Sequence, residues 1–443
     1  MEANTEADAL KRVFGLPTLI IYGVGDILGA GIYAVIGKIA EVSGTLVWAS
    51  FLVAMVVAAL TALSYAELGS RIPQSGGVAC FVHRAFNRDW LSTLVGWLMF
   101  CTCLVSMATL SIAFAGYFNA FLPIIPPWLI ILTLMAGLAF VNFRGMQESS
   151  ALNILCTTLE VSGLIIVVLV SIAFLLGGAN APIVTASPAA GAAVAIAPGG
   201  AAIVQGAALA FYAFIGFEDI VNVAEEVKDP ERNVPRAILI SLSIAGVIYI
   251  TIAWLAIQVV SPAALAASTA PLLDVVRRAQ PNFPIVVFTI VALFAVLNTA
   301  LLNFITASRL LYGMSRDGLL PAWLGKLHPR RATPYRTLMV ILPLVIVLAL
   351  SGTLKLLAGS TATLILVMFC LVNLSLLVIK RQNPVTSGFQ VPFAIPAIAL
   401  LFNLLLIAFA TNASRLLGLA LMGVGVVLII FKKVLSQKSL SNP

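Results

Sequence analysis

A chain of 443 residues that is 61% hydrophobic and 9% charged, with a mean hydropathy of +1.10, cannot cover a water-facing surface; soluble domains carry about 25% charged residues. The composition places it in the lipid bilayer as a polytopic protein and excludes a soluble enzyme. Its net charge of +8 is not a nucleic-acid signal, because the basic residues of membrane chains gather in cytoplasmic loops.

A helix needs about 20 apolar residues to cross the hydrocarbon core. Twelve runs are read as spans: 14–37, 42–68, 90–120, 127–142, 148–176, 201–219, 236–260, 282–312, 336–352, 356–379, 391–411 and 413–432. Their length and lack of strict alternation predict an all-α integral membrane protein rather than a barrel. The polar, mixed-charge first dozen residues carry no cleavable signal pattern. With the N-terminus placed in the cytoplasm, 20 of the 25 Lys and Arg fall inside and 5 outside, the five being Lys38, Arg277, Arg278, Lys355 and Arg415. That bias predicts both termini cytoplasmic, in a plasma or bacterial inner membrane.

Span one contains "GVGDILGAGIYAVIG" (23–37), with five glycines and the acid Asp26. Glycine weakens a helix by about 1 kcal/mol relative to alanine, and unwound backbone at membrane depth is tolerated only where it lines a cavity or is buried in protein. A break at Gly29-Ala30-Gly31 is expected. The N–H groups of Ala30, Gly31 and Ile32 would then open a second half-helix that attracts an anion such as a carboxylate. Carbonyls on the other side, such as that of Ile27, would attract a cation. A plain helix-packing use of Gly25-x-x-x-Gly29 competes with this reading. A dinucleotide loop does not, because the spacing misses G-x-G-x-x-G by one residue and follows no strand.

Span three, "GWLMFCTCLVSMATLSIAF" (96–114), is free of acids, which favours a small or neutral substrate. Span five carries Glu160 in "NILCTTLEVSGLII" (153–166). The longest outer segment, near 177–200, is uncharged and rich in Gly, Pro and Ala, as suits a loop packed over the outer face. In span six Gly216 interrupts an apolar run, and Glu218 and Asp219 follow at membrane depth. Spans one and six are each the first of five. Interrupted helices at matching positions in two halves point to a transporter binding site, and an odd repeat of five inverts the second half.

The two histidines, His83 and His328, and the five scattered cysteines lack metal-site spacing. No cofactor, zinc chemistry or Ser-His-Asp catalysis is therefore expected. A pore is disfavoured because two midplane breaks suit alternating access better.

The chain resembles the amino acid–polyamine–organocation transporters over nearly its whole length. The resemblance rests on "GAGIY" (29–33), "SYAELGSRIPQSGG" (64–77), "FIGFE" with "AEEVKDPERNVPRAI" (214–238), and "ASRLLYGMSRDGLLP" (307–321), in that order. It implies a LeuT-like five-plus-five inverted repeat, about 14–176 and 201–379, with two added C-terminal helices at 391–432. It implies transport of amino acids or related amines by alternating access. Ala30, Gly31 and Ile32 match the backbone donors for the substrate carboxylate. Ile27, Tyr212 and Ile215 match carbonyls facing the α-ammonium. Phe214 or Tyr212 matches an aromatic gate, and 69–88 looks like the intracellular connector under the bundle.

Intramembrane acids are functional candidates by default. Glu218, on the inner half of span six in the family pattern, is expected to couple protonation to substrate release, against a structural role in holding the broken helix. Several proton-driven relatives carry a lysine where Glu160 stands, so their mechanism does not transfer. Glu160 is instead open to a proton, a cation, or backbone N–H groups of span one. Asp26 departs from the usual small or apolar residue there, and is open to a hydroxyl or amide neighbour or to sharing a proton with Glu160. Thr306 and Ser308 are candidate sodium ligands, although such hydroxyls commonly bond the preceding turn. The expected partners are thus an amino acid with a proton, or with sodium. Proton symport is the leading reading, and an amino acid or polyamine exchanger the alternative.

Overall fold

The first apolar run does not form one helix. In the computed structural model, α1 (Leu16–Ile27) stops and α2 (Gly31–Ser43) restarts three residues later. Gly31 is required at the restart, because a Cβ there would lie 2.6 Å from the Cα of Ala213. The structure describes residues 12, 14–74, 77–144, 146–177, 199–316, 320–328, 333–383 and 388–440, with backbone alone for 146–155 and 432–440. The outer segment expected to pack over the outer face lies mostly outside the described residues, as do Lys11, Arg330 and Arg331.

The remaining helices follow in order: α3 (Val47–Arg71), α4 (Gly77–Phe86), α5 (Asp89–Phe121), α6 (Pro127–Arg144), α7 (Met146–Leu176), α8 (Gly200–Ala210), α9 (Pro230–Val259), α10 (Pro262–Ala267), α11 (Pro271–Ala279), α12 (Ile285–Arg316), α13 (Tyr335–Ser351), α14 (Leu354–Gln382), α15 (Ala394–Phe409) and α16 (Asn412–Leu440). Each expected run has a helical counterpart, including the short run at 127–142, which forms α6. Three short helices, α4, α10 and α11, lie between the long ones. Among the described residues nine helical stretches are long and apolar enough to cross a membrane. Shorter apolar helices accompany them at Leu16–Ile27, Gly77–Phe86, Tyr335–Ser351 and Ala394–Phe409. The described residues form no strand beyond an isolated bridge between Phe14 and Val227.

The second break is longer than the first. After α8 the chain tightens into a 3-10 helix (Phe211–Phe214), extends at Ile215, turns at Gly216 with φ 131°, and continues as a second 3-10 helix (Phe217–Glu226). The two breaks meet: a Cβ on Gly216 would lie 2.8 Å from the backbone carbonyl of Asp26. They are tied again at their far ends, where Phe14 N–H donates to the Glu226 carbonyl (3.0 Å) and Lys228 N–H to the Phe14 carbonyl (2.9 Å).

Around these breaks α3 packs against α9, α5 against α12, and α6 against α13. The core between them is aromatic, with Tyr65 edge-on to Phe217 and Phe369 at centroid distances of 5.6 and 5.4 Å. Outward faces carry exposed apolar side chains such as Ile21, Val347, Leu416 and Val427, which a bilayer would cover and water would not. At one end of α3 a buried ionic cluster closes the bundle. Glu67, wholly buried, accepts from Arg71 Nε (2.8 Å), Lys380 Nζ (2.8 Å) and the Val391 N–H (2.8 Å).

Candidate functional site

The helix break is held open by side chains from distant parts of the chain. Ala30 N–H, which the end of α1 leaves without a backbone partner, donates to Thr299 Oγ1 on α12 at 3.0 Å. On the other side of the break, the Ile27 carbonyl accepts from Tyr249 OH on α9 at 2.6 Å. Both groups were expected to be free for ligand. Each is engaged by a neutral hydroxyl, which a charged group can supplement or displace. Thr299→Val would leave the Ala30 N–H unpaired, at a cost of about 1–3 kcal/mol. A lowered melting temperature of the purified protein is the expected result, and an unchanged one would show that the break is held otherwise.

Next to the break lies a cavity walled by α1, α2, α5, α12, α14 and the segment 212–219. It offers about 70 Å³ to the centres of water-sized molecules. A polar cavity holds water once it offers about 10–15 Å³, so this one has room for water or for a small polar solute in its place. Of the expected site residues, Asp26, Ile27, Gly31, Tyr212, Ile215 and Glu218 line it. Ala30, Ile32, Phe214 and Glu160 do not. Ala30 and Ile32 are wholly buried beside it. Phe214 points the other way, against Phe51 and Tyr249 at 6.3 and 5.4 Å. The tight 3-10 turn puts Tyr212 and Phe214 on different faces, so Tyr212 is the aromatic group at the cavity. Its hydroxyl pairs with Ser106 Oγ at 3.1 Å.

The acids are distributed in two places. Asp26, Glu218 and Asp219 gather at the cavity. The Asp26 and Asp219 carboxyl groups come within hydrogen-bonding reach of each other, which needs a proton between them or a cation beside them. Glu218 Oε2 accepts from the Gly216 N–H at 2.9 Å, and Asp219 Oδ1 from Asn222 Nδ2 at 2.9 Å. Glu218 Oε1 and Asp26 Oδ2 are buried without a partner.

Glu160 sits behind the break on α7. Its backbone carbonyl accepts from Tyr33 OH at 3.0 Å, and its buried carboxyl group lies beside the Asn298 side chain, with no other hydrogen-bonding group in reach. It therefore takes no backbone N–H from span one, and Asp26 pairs with Asp219 rather than with it. Ser308 donates to the Ile305 carbonyl of its own helix at 2.8 Å and does not reach the cavity, whereas Thr306 lines it.

Several lining residues were not singled out from the sequence. Thr299 and Asn303 on α12, and Thr102 and Ser106 on α5, are pairs four residues apart. Polar residues at i, i+4 in a membrane helix share a face, and that spacing was the available signal. Asp219, adjacent to Glu218 at membrane depth, was visible but given no role. Span three is acid-free as read, but the cavity's acids come from α1 and the segment after Gly216, so span three does not decide the substrate's charge.

The amino acid permease family matches residues 14–432. The branched-chain amino acid permease of Bacillus subtilis is 28% identical over 91% of this chain and 89% of its own length. An uncharacterized transporter of Mycobacterium bovis is 30% identical, over 98% of this chain and 94% of that one. Cationic amino acid transporter 4 of Mus musculus is 30% identical, over 87% of this chain and 63% of its own length. The motifs, the paired helix breaks and these likenesses agree: the chain is a multi-pass membrane protein that belongs to the amino acid permease family of the amino acid–polyamine–organocation superfamily.

Proposed function

We propose that this chain is a secondary active transporter that carries amino acids by alternating access, not an enzyme. The observation that carries the reading is the meeting of two helix breaks at Asp26 and Gly216 beside a polar cavity. Twelve spans form two inverted repeats of five, about 14–176 and 201–379, followed by two helices at about 391–432, with both termini cytoplasmic. The packing of α3 on α9, α5 on α12 and α6 on α13 supports this, because each pair joins counterparts five spans apart, as a two-fold relation near its axis requires.

The substrate carboxylate binds at the start of α2, where Gly31 and Ile32 present N–H groups and Ala30 would exchange Thr299 for the ligand. The α-ammonium faces the carbonyls of Ile27, Tyr212 and Ile215, and Tyr212 closes over it. Glu218, Glu160 and Asp26 carry the coupling ion. A proton is favoured over sodium because Ser308 turns back onto its own helix, and because buried carboxyl oxygens without donors are most simply satisfied by protonation.

Uptake of labelled amino acids into proteoliposomes tests the reading, driven by a pH gradient, by a sodium gradient or by internal unlabelled substrate. Uptake under an inward proton gradient is expected. Flux seen only with internal substrate would replace symport by exchange, and flux of no amino acid would overturn the reading. Asp219, Asp26, Tyr65 and Cys103 lie close enough to Glu218 to feel its charge. If Glu218 is the titrating member, Glu218→Gln makes uptake far less dependent on pH. An unaltered pH profile would remove Glu218 from coupling, and the same measurement on Glu160→Gln decides for Glu160.

A further inference from the structure

We propose that Thr299 and Tyr249 stand in for the two ends of the substrate at the first helix break, so that the carrier crosses the membrane unloaded and performs net transport rather than obligate exchange. The proposal rests on the alternating-access reading above and adds what sets its mode.

A helix break at membrane depth frees backbone groups that must find partners. Ala30 is wholly buried and Ile27 is 1% exposed, so water does not compensate them. A bound amino acid would bring a carboxylate to one side of the break and an ammonium to the other. The protein brings the same two kinds of partner from its own side chains. Thr299 Oγ1 accepts from the Ala30 N–H at 3.0 Å, and Tyr249 OH donates to the Ile27 carbonyl at 2.6 Å.

Both hydroxyls are fixed in these roles. The Thr299 O–H donates to the Ala295 carbonyl of its own helix at 3.4 Å, which leaves a lone pair for the break. The Thr299 carbonyl is in turn held by Asn303 Nδ2 at 3.0 Å. The Tyr249 ring packs between Phe51 and Phe214, at centroid distances of 5.9 and 5.4 Å. Both stand-ins are also neutral. Hydrogen bonds to a carboxylate are roughly twice as strong as those to a hydroxyl. Substrate can therefore take the Ala30 N–H from Thr299, and the hydroxyl can take it back when substrate leaves. A carbonyl has a second lone pair, so an ammonium can join Tyr249 at Ile27.

The consequence falls on the unloaded half of the transport cycle. A carrier that needs substrate to satisfy its break has to be loaded in both directions. With a stand-in at each end, the break stays satisfied while the bundle rearranges, and the return needs no load. A buried donor left unpaired makes a state less populated by about tenfold or more. Loss of one hydroxyl should slow the unloaded return by a similar factor and spare the loaded crossing, where the substrate fills the same role.

The test measures two fluxes on the full-length protein in proteoliposomes under one inward proton gradient. The probe is a labelled mixture of the standard amino acids outside. Buffer inside gives net uptake, and the same mixture unlabelled inside gives exchange. In the unaltered protein net uptake should run at a rate comparable to exchange. Thr299→Val should lower the ratio of net uptake to exchange at least about tenfold, and Thr299→Ser, which keeps the hydroxyl, should restore it. Tyr249→Phe should lower the ratio in the same direction, and it carries the test should Thr299→Val be recovered poorly. An unchanged ratio in the folded variants, including a fall of both fluxes by one factor, would overturn the proposal and leave the two hydroxyls as supports of the fold. Uptake by the unaltered protein only against internal substrate would overturn the proposal while leaving amino acid transport intact. No flux in either arm would overturn the transport reading itself, and the proposal with it.

Discussion

Gly216→Ala should abolish uptake and lower the melting temperature of the purified protein. Gly216 has φ 131° and ψ −29°, a conformation essentially closed to residues with a side chain. Holding such a residue there costs about 1–3 kcal/mol before any contact is counted. A Cβ would also lie 2.8 Å from the carbonyl carbon and oxygen of Asp26 and 3.0 Å from the nitrogen of Ile27. These are backbone atoms of α1, so relief requires the two breaks to separate, and with them Asp26 from Glu218 and Asp219. Gly96→Ala and Gly313→Ala are the controls. Both lie in helices with nothing within 4 Å of the added carbon, and alanine there should be neutral or stabilising by up to about 1 kcal/mol. Full uptake by Gly216→Ala would mean that the close meeting of the breaks is not needed for transport.

The same glycines made the breaks legible. Gly29-Ala30-Gly31 and Gly216 weaken an apolar run locally, and local weakness is a property that a sequence carries. What the breaks do with their freed groups was less legible, because it depends on partners far along the chain. Thr299 is 269 residues from Ala30, and Tyr249 is 222 residues from Ile27. Which of the two aromatic candidates, Tyr212 or Phe214, faces the cavity was illegible for a related reason. Both aromatic residues of 212–214 look equivalent in the sequence, and only the 3-10 geometry separates the cavity face from the face against α3. The acids were visible singly, but their grouping was not. Glu160 and Asp26 lie on adjoining helices, yet the turn at Gly216 brings Asp219 to Asp26 first. The short helices α4, α10 and α11 are not legible in the sequence because 6 to 10 residues give too little periodicity to separate a helix from a loop.

Glu67→Ala should be the most destabilising single change outside the breaks, by about 3–5 kcal/mol, the cost of removing one partner from a buried ion pair. Its side chain is 0% exposed, with Arg71 at 3% and Lys380 at 10%. Removing the acid leaves two cations facing each other with no counter-charge and the Val391 N–H without its acceptor. Removing one cation is milder, because the other still neutralises the carboxylate. Lys380→Met should therefore lower the melting temperature less than Glu67→Ala, and in the double variant part of the loss should be recovered. That non-additivity is the signature of a direct charge pairing, and strictly additive losses would refute it. Glu67 is on α3, Lys380 on α14, and Val391 precedes α15, so the cluster ties three elements at one end of the bundle. If it stays closed throughout transport, uptake per folded molecule will be unchanged in Lys380→Met. If it opens in each cycle, the same variant will alter the transport rate beyond what its loss of stability accounts for.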